Sequence, residues 1–181
     1  MSFIAPRSEP ALRTHSPSLR RMLADIAIAA RSELAGREAR IAAAIGAHLA
    51  EPDLLEGQPC PCSPERYVRH LLQADPEGGY AVVALAWRPG QMSPVHAHRT
   101  WCALGVYAGI LTEGFYTPDA CGQPVQTGSV LRPPGATCHG PADPHLIHRL
   151  ANLSSGEAIS IHVYGAAFDR FGEDVNLVYA G

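Results

Sequence analysis

GQMSPVHAHRTWCALGVYAG (90–109) holds the most informative pattern in the chain, because His96 and His98 stand one residue apart. Alternate side chains of an extended strand point to the same face, so both imidazoles would face one point, as two ligands of a single metal ion do. An isolated H-x-H is a weak signal, since a solvated pair of histidines has the same spacing. The weight of the pattern therefore depends on the sequence around it.

The flanking sequence has the period of short β-strands. GYAVVALAW (79–87) is apolar enough for a strand that is buried on both faces, and the turn residues RPGQ follow it. Further strands separated by Gly, Pro and Asp are predicted at about 94–98, 102–108, 111–116, 128–132, 145–152 and 157–164. Many short strands at regular spacing indicate a mainly β sandwich or barrel.

The N-terminal part follows helical spacing instead. One predicted helix carries an apolar stripe formed by Leu19, Met22, Leu23 and Ile26. The same spacing recurs in Leu34, Ile41, Ile45 and Leu49, and two helices with a break near Gly36 are predicted. Residues 65–73 fit a short helix or a strand equally well. We expect a single domain with a loose arm over 1–15, a helical cap and connector over 16–75, and a β-barrel over 76–181.

Composition excludes several classes of function. The chain has 181 residues and a net charge of -3, without the basic stripe that a nucleic-acid binder needs. No run approaches the roughly 20 apolar residues that span a bilayer, and the N-terminus does not resemble a signal peptide. We expect a cytoplasmic protein that binds neither nucleic acid nor membrane, with its five cysteines reduced. The proline-flanked pair Cys60 and Cys62 is too weak a pattern for a structural zinc site.

The frame around the histidine pair resembles the first sequence motif of the cupin superfamily, G-x5-H-x-H-x3-4-E-x6-G. Gly90 and Gly109 stand at its two ends, and Cys102 occupies the place of the glutamate. This resemblance implies a cupin double-stranded β-helix, a jelly-roll barrel, behind the N-terminal helical cap.

A third histidine would complete the metal site. The second cupin motif ends in H-x3-N, which His148 and Asn152 match. His139 and His145 lie nearby and are rivals, but we favour His148 because Asn152 follows it at the motif spacing.

The missing glutamate has a chemical consequence. Three neutral imidazoles leave a divalent metal with its full charge, which suits an anionic ligand such as a thiolate. Three protein ligands also leave coordination positions open for O2. Such a set fits non-haem Fe(II), and zinc remains an alternative on ligand type alone.

Four stretches resemble the cysteine dioxygenase family: 66–72, 82–102, 109–113 and 148–165. By position, the resemblance implies that the iron ligands are His96, His98 and His148. It also implies an outer hydrogen-bonded relay in which Ser160 holds His162 and His162 holds the active-site Tyr164. These three alternate along one strand, so the period of two sends them to one face, with Ile159, Ile161 and Val163 on the other.

The resemblance implies further roles. Tyr67 and Arg69 match a Y-x-R element whose arginine binds the substrate carboxylate, a task that suits the guanidinium fork. Trp87 is expected to be a packing residue. In animal members a cysteine at the position of Cys102 forms a thioether with the tyrosine, so a Cys102–Tyr164 cross-link and a buried free thiol are both open. Arg170 is expected to be a surface charge rather than a second carboxylate clamp.

The sequence therefore predicts a thiol dioxygenase that uses Fe(II) and O2 to convert a small thiol carboxylate, with L-cysteine preferred, into the sulfinic acid. An alternative substrate is 3-mercaptopropionate, because residues 99–101 resemble the bacterial branch of the family. An alternative of another class is a non-catalytic metal-binding cupin sensor. A monomer or a homodimer is expected.

Overall fold

Two helices open the part of the chain that the computed structural model describes, residues 15–179. The arm expected over 1–15 lies outside that part, except for residue 15. Helix α1 (Pro17–Ala30) is capped by the Ser16 side chain, which accepts a hydrogen bond from the Leu19 amide at 3.0 Å. Helix α2 (Arg37–Gly46) follows Gly36, which has a φ of 71°. Both helices and the break at Gly36 are confirmed, but Leu34 lies between the helices with 75% of its surface exposed.

The β region forms two antiparallel sheets of five strands each. The first sheet has the order β1-β2-β9-β4-β7, and its strands are β1 (Val68–Ala74), β2 (Ala81–Trp87), β4 (Cys102–Ala108), β7 (Thr137–Gly140) and β9 (Ala158–Tyr164). The second has the order β10-β3-β8-β5-β6, and its strands are β3 (His96–His98), β5 (Leu111–Pro118), β6 (Pro124–Arg132), β8 (Asp143–Ala151) and β10 (Asn176–Val178). A 3₁₀ turn (Phe168–Arg170) and the short helix α3 (Phe171–Asp174) connect β9 to β10.

The strand predictions mostly agree with these bounds. The segment left undecided at 65–73 overlaps β1, which spans Val68–Ala74 and pairs with β2. We therefore propose that the barrel begins at β1 rather than at residue 76. Strands β7 and β10 were not predicted, because four- and three-residue strands are too short to show a period.

Two apolar cores lie on opposite faces of the first sheet. Helices α1 and α2 pack on its outer face, against residues such as Ala103, Ile161 and Val163. Its inner face closes on the second sheet, so that Leu85 and Leu104 share a cluster with Leu111 and Leu150. The structure therefore has the predicted architecture, a mainly β barrel with an N-terminal helical cap. Within residues 15–179, none of the helices is both long enough and apolar enough to cross a membrane.

The cap sits directly on the barrel at Gly105. A Cβ atom added to this glycine would lie 2.6 Å from Cγ2 of Ile45 and 2.8 Å from Cδ1 of Leu49. A side chain at this position of β4 would therefore force the side chains of Ile45 and Leu49 to move away from the sheet. Glycine at this position allows their close packing on β4.

A buried histidine ties the cap together. His48 lies between two carboxylates, with Nε2 2.8 Å from Asp25 and Nδ1 2.8 Å from Glu51. Both partners are acceptors, so both contacts are satisfied only when the ring carries two protons. Burial alone lowers the pKa of His48, but the hydrogen bonds and charges of the two carboxylates raise it overall. The protonated ring therefore joins α1 to the segment after α2.

Replacing this histidine should cost stability in a pH-dependent way. A pKa raised in the folded state means that His48 stabilises fully below its unfolded pKa and loses this contribution as the pH rises through the folded pKa. We expect His48→Gln to lower the free energy of unfolding by about 1 kcal/mol at about pH 5.5 and by less at about pH 8.5. Urea unfolding at both pH values measures this. The exposed His139→Gln is the control, and an equal loss at the two pH values would contradict the ionic bridge.

Candidate metal centre and its cavity

Three histidines from two paired strands meet at one point inside the barrel. His96 on β3 lies opposite His148 on β8, and the register shifts between His96 and His98. One ligand atom from each of these three residues lies within 4.8 Å of the other two, and the Nε2 atoms of His98 and His148 are 3.0 Å apart. The structure thus brings the three predicted histidines together. The rivals His139 and His145 are exposed and do not belong to this group.

Hydrogen bonds fix the orientation of two of these rings. Nδ1 of His148 lies 2.8 Å from the Glu113 carboxylate, and Nδ1 of His96 lies 2.9 Å from the Pro94 carbonyl oxygen. Both partners are acceptors, so each Nδ1 carries the ring proton and donates it. The Nε2 lone pairs of these two rings are then free for a metal ion, as in carboxylate–histidine–metal arrangements.

Glu113 is held by its own partner. Its second oxygen accepts hydrogen bonds from Nε and Nη2 of Arg132, at 2.9 and 2.7 Å. Burial opposes ionisation of Glu113, but its contacts with His148 and Arg132 lower its pKa overall. From the sequence, Glu113 was noted only as the last residue of the stretch 109–113, and its contact with His148 joins residues 35 positions apart. Pairing at that distance leaves no local signal in the sequence.

Two of the three histidines, His96 and His98, are neutral at neutral pH. Burial, together with the neighbouring imidazoles, lowers the pKa of His96 to about 4 and that of His98 to about 3. Neutral imidazole is the form that binds metal ions, so these two rings can coordinate without first losing a proton. Three nitrogen donors without a carboxylate or thiolate fit a divalent transition metal.

Three side chains of β9 form a buried hydrogen-bonded series beside this group. Ser160 Oγ lies 2.8 Å from Nε2 of His162, and Nδ1 of His162 lies 3.1 Å from the Tyr164 hydroxyl. Burial lowers the pKa of His162 and raises that of Tyr164, so both are neutral. Trp87 was expected only to pack, but its indole N–H also donates to Ser160 at 3.0 Å.

The arginine predicted to bind a carboxylate faces the same cavity. Arg69 on β1 donates to the Tyr67 hydroxyl at 3.3 Å, and its buried Nε has no hydrogen-bond partner among the described residues. The Tyr67 ring stacks on Trp87 with centroids 4.3 Å apart. Arg69 is therefore held in place by an aromatic pair and keeps donors available for an anion.

Two cavities meet at the histidines. The smaller, of about 20 Å³, is lined by all three histidines together with Arg69 and Tyr164. The larger, of about 290 Å³, lies between β5, β7 and β8 and has the rivals His139 and His145 in its wall. Four residues line both cavities: His98, Cys102, Leu104 and His148.

One residue of the smaller cavity was missed by the sequence analysis. Asn176 on β10 pairs with His98, and its buried Oδ1 has no hydrogen-bond partner among residues 15–179. Its strand has only three residues, so the pattern around Asn176 gives no hint that it lines a site. The cavity thus contains an unpaired acceptor as well as an unpaired donor.

Cys102 and Tyr164 lie side by side. They are directly opposite in the register of β4 and β9, and both are buried. Gly165, which follows Tyr164, has no room for a side chain. A Cβ atom on it would lie 2.4 Å from the Trp101 ring and 2.5 Å from Thr100 Oγ1. Arg170, by contrast, is exposed and pairs with Asp174 at 2.6 Å, as expected of a surface charge.

Comparison with known proteins agrees with this geometry. The sequence profile of the cysteine dioxygenase type I family matches residues 60–173. Among solved structures, a protein from Thermus thermophilus aligns with 59% of this chain and 89% of its own length, at 19% identity and a TM-score of 0.47. A protein with a double-stranded β-helix domain from Klebsiella pneumoniae aligns with 67% of this chain and 90% of its own, at 17% identity and a TM-score of 0.45.

A recombinant oxalate oxidase aligns with 57% of the chain at 19% identity and a TM-score of 0.43, and the chain spans about half of it, 53%. The two facing antiparallel sheets and the match to the cysteine dioxygenase type I family bear out the predicted cupin fold.

Removing the charge of Glu113 should weaken metal binding. Glu113→Gln keeps the size of the side chain but loses the carboxylate that orients His148, so we expect the affinity for Fe(II) to fall about 10- to 100-fold. Titration of the metal-free protein against a competing chelator under anaerobic conditions measures the Kd. The exposed Glu65→Gln is the matched control. An unchanged Kd in Glu113→Gln would mean that the carboxylate does not act through His148.

Proposed function

Since the chain belongs to the cysteine dioxygenase type I family, we propose that it is an Fe(II)-dependent thiol dioxygenase whose preferred substrate is L-cysteine. The observation that carries the proposal is that one small cavity is lined by the three-histidine group, Arg69 and Tyr164. These supply a place for a metal, for a carboxylate and for a hydrogen bond to the reacting atoms. Such a combination has no evident use in a protein that only binds a metal.

His96, His98 and His148 would hold the iron. Two of them present free Nε2 lone pairs, because their Nδ1 atoms donate to oxygen acceptors. When bound, Fe(II) supplies a Lewis acid for the thiolate and reactivity toward O2. Zinc fits the same donors but has no redox chemistry. A dioxygenase therefore needs a redox-active metal at this site, and we propose iron.

Arg69 would anchor the substrate carboxylate. Its buried Nε has no partner within the described residues, and the Tyr67 ring stacks on Trp87 and keeps the arginine near the cavity wall. A guanidinium can bind both oxygens of a carboxylate, which fixes the direction of the substrate. Thiols without a carboxylate would lose this contact.

Asn176 favours cysteine over 3-mercaptopropionate, which differs from cysteine in lacking the amino group. An ammonium or amine needs acceptors, and the unpaired Oδ1 of Asn176 is an acceptor on the cavity wall. With 3-mercaptopropionate this oxygen would stay buried and unpaired, which is unfavourable. The argument supports L-cysteine as the preferred substrate.

The reaction adds both atoms of O2 to the substrate sulfur and yields the sulfinate. The thiolate supplies the electrons, so no external reductant is required. Tyr164 would donate a hydrogen bond to the reacting oxygen, because its hydroxyl lines the cavity beside the three histidines. His162 and Ser160 act through Tyr164 by fixing its position.

The remaining parts of the proposal concern the setting of the enzyme. None of the five cysteines forms a disulfide within the described residues, which fits a reducing compartment such as the cytoplasm. We keep a monomer or a homodimer as the proposed assembly. The partners are then the small thiol and O2.

Oxygen consumption tests the proposed function. We expect the Fe(II)-loaded protein to consume O2 with cysteine, more slowly with 3-mercaptopropionate and least with cysteamine, and to form sulfinate detected by mass spectrometry. His148→Ala should abolish uptake, whereas His145→Ala on the same strand should retain it. Arg69→Gln should lower kcat/KM for cysteine about 10- to 100-fold, because a charged hydrogen bond is lost, and should change cysteamine turnover little.

No uptake with any thiol, although iron is bound, would favour the non-catalytic cupin sensor. Faster turnover of 3-mercaptopropionate than of cysteine would leave the dioxygenase chemistry in place and reject cysteine as the preferred substrate.

We also propose a thioether between Cys102 and Tyr164, which their direct pairing across β4 and β9 favours. Bond formation breaks the S–H bond and one ring C–H bond and joins sulfur to the ring carbon; the two protons and two electrons that are lost reduce O2 to hydrogen peroxide. After turnover with cysteine, peptide mapping should therefore find the two residues in one cross-linked peptide, lighter by two hydrogen masses. Cys138→Ala should keep this peptide and Cys102→Ala should lose it. Recovery of only separate peptides from the turned-over protein would identify Cys102 as a free thiol.

A further inference from the structure

We propose that Trp87 sets the direction of the hydrogen bonds through Ser160 and His162, so that the Tyr164 hydroxyl keeps its proton for the cavity. The catalytic meaning of this inference rests on the proposed function, whereas the direction itself is a property of the folded chain. Trp87 is then a positioning residue that acts through two others.

The contacts form one continuous series within the barrel. Trp87 on β2 pairs with Ala158, two residues before Ser160 on β9, so the indole reaches the serine diagonally on the inner face. The series runs from Trp87 Nε1 to Ser160 Oγ at 3.0 Å, then to His162 Nε2 at 2.8 Å, and from His162 Nδ1 to the Tyr164 hydroxyl at 3.1 Å. Every member has 5% or less of its surface exposed, so water does not compete for these bonds.

The indole fixes the first step because it can only donate. A serine hydroxyl has one proton to give and lone pairs to accept. Once Ser160 accepts from Trp87, its own proton is free to go to Nε2 of His162. The ring is neutral and has a single proton, which must then be on Nδ1 and is donated to the Tyr164 oxygen. The tyrosine proton stays unused and faces the cavity that Tyr164 lines.

The opposite direction leaves a buried proton without an acceptor. If Tyr164 donated to Nδ1 of His162, then Nε2 would carry the proton and donate to Ser160. Ser160 would receive two hydrogen bonds, from His162 and Trp87, and its hydroxyl proton would have no partner among the described residues. Ser160 is 0% exposed, so water cannot supply that acceptor. The tyrosine proton would also be turned away from the cavity.

Trp87 acts against the intrinsic preference of the ring. A neutral imidazole side chain in water favours the proton on Nε2, which is the tautomer of the unproductive direction. Without the indole N–H, Ser160 can accept from Nε2 and that tautomer becomes available. The state of His162 therefore reports whether Trp87 sets the direction.

Phenylalanine at position 87 separates the two roles of the tryptophan. It keeps an aromatic ring for Tyr67 to stack on, but it has no donor. Ser160→Ala breaks the same series with a small change in volume. The chain has one other tryptophan, Trp101, whose indole forms no hydrogen bond with Ser160 among the described residues and which gives the matched control.

Long-range ¹H–¹⁵N NMR of the histidine rings in the full-length, metal-free protein shows which nitrogen carries the proton. The signals of His162 are assigned from the spectrum of His162→Asn. We expect the proton on Nδ1 in the wild type and in Trp101→Phe, and on Nε2 in Trp87→Phe and Ser160→Ala. A wild-type ring protonated on Nε2, or a Trp87→Phe ring that keeps its proton on Nδ1, overturns the proposal. If Trp87→Phe does not fold, Ser160→Ala decides in the same way.

Kinetics with Fe(II) and cysteine form the second arm. Trp87→Phe should lower kcat about tenfold and leave KM within about twofold, because the Tyr164 proton is redirected while the Arg69 anchor is kept. An unchanged kcat with a switched tautomer would mean that the tyrosine proton plays no part in the reaction. Absence of oxygen uptake by the wild type would reject the proposed function. The NMR result would still test the direction of the hydrogen bonds, because it does not depend on activity.

Discussion

The structure depends on a strand that is buried on both faces. Strand β9 lies in the middle of the first sheet, between β2 and β4, with the helical cap outside and the barrel interior inside. Because side chains alternate along a strand, the seven residues of β9 present one set of side chains to the cap and the other set to the barrel interior. Ile161 and Val163 pack against the cap, while Ser160, His162 and Tyr164 lie on the opposite face, where His162 and Tyr164 line the smaller cavity. A shift of register by one residue would exchange the two sets and destroy the core and the site together.

Polar groups inside such a barrel must find partners there, and this requirement organises the site. Glu113 is ionised in the interior only because His148 and Arg132 surround it, and the serine–histidine–tyrosine series is closed by the Trp87 indole. The unpaired polar atoms are therefore informative. Arg69 and Asn176, whose Nε and Oδ1 have no hydrogen-bond partner among the described residues, both line the smaller cavity.

The sequence predicted what depends on local periodicity or on a motif. The apolar stripe of α1, the faces of β9 and the grouping of His96 and His98 follow from spacing, whereas His148 and Arg69 came from motifs of related proteins. What was missed depends on distant pairing: the contact of Glu113 with His148, the donor role of Trp87 and the position of Asn176. Leu34 fitted a helical period and is exposed, because the chain leaves the helix before reaching it. Hydrophobic periodicity predicts which residues share a face of a helix or strand, but not what packs against that face.

The site has a carboxylate, although not at the position of the motif glutamate. Cys102 stands at the position of the motif glutamate, is neutral and pairs with Tyr164 across β4 and β9. The carboxylate of the site is Glu113, which contacts the ring of His148 instead of taking a place among the three histidines. Because Arg132 balances Glu113, the pair brings no net charge to the centre. A bound divalent ion would thus keep its full attraction for anions. A thiolate would supply both a ligand and a negative charge to such an ion, which is the physical reason why we propose an anionic thiol substrate rather than a neutral one.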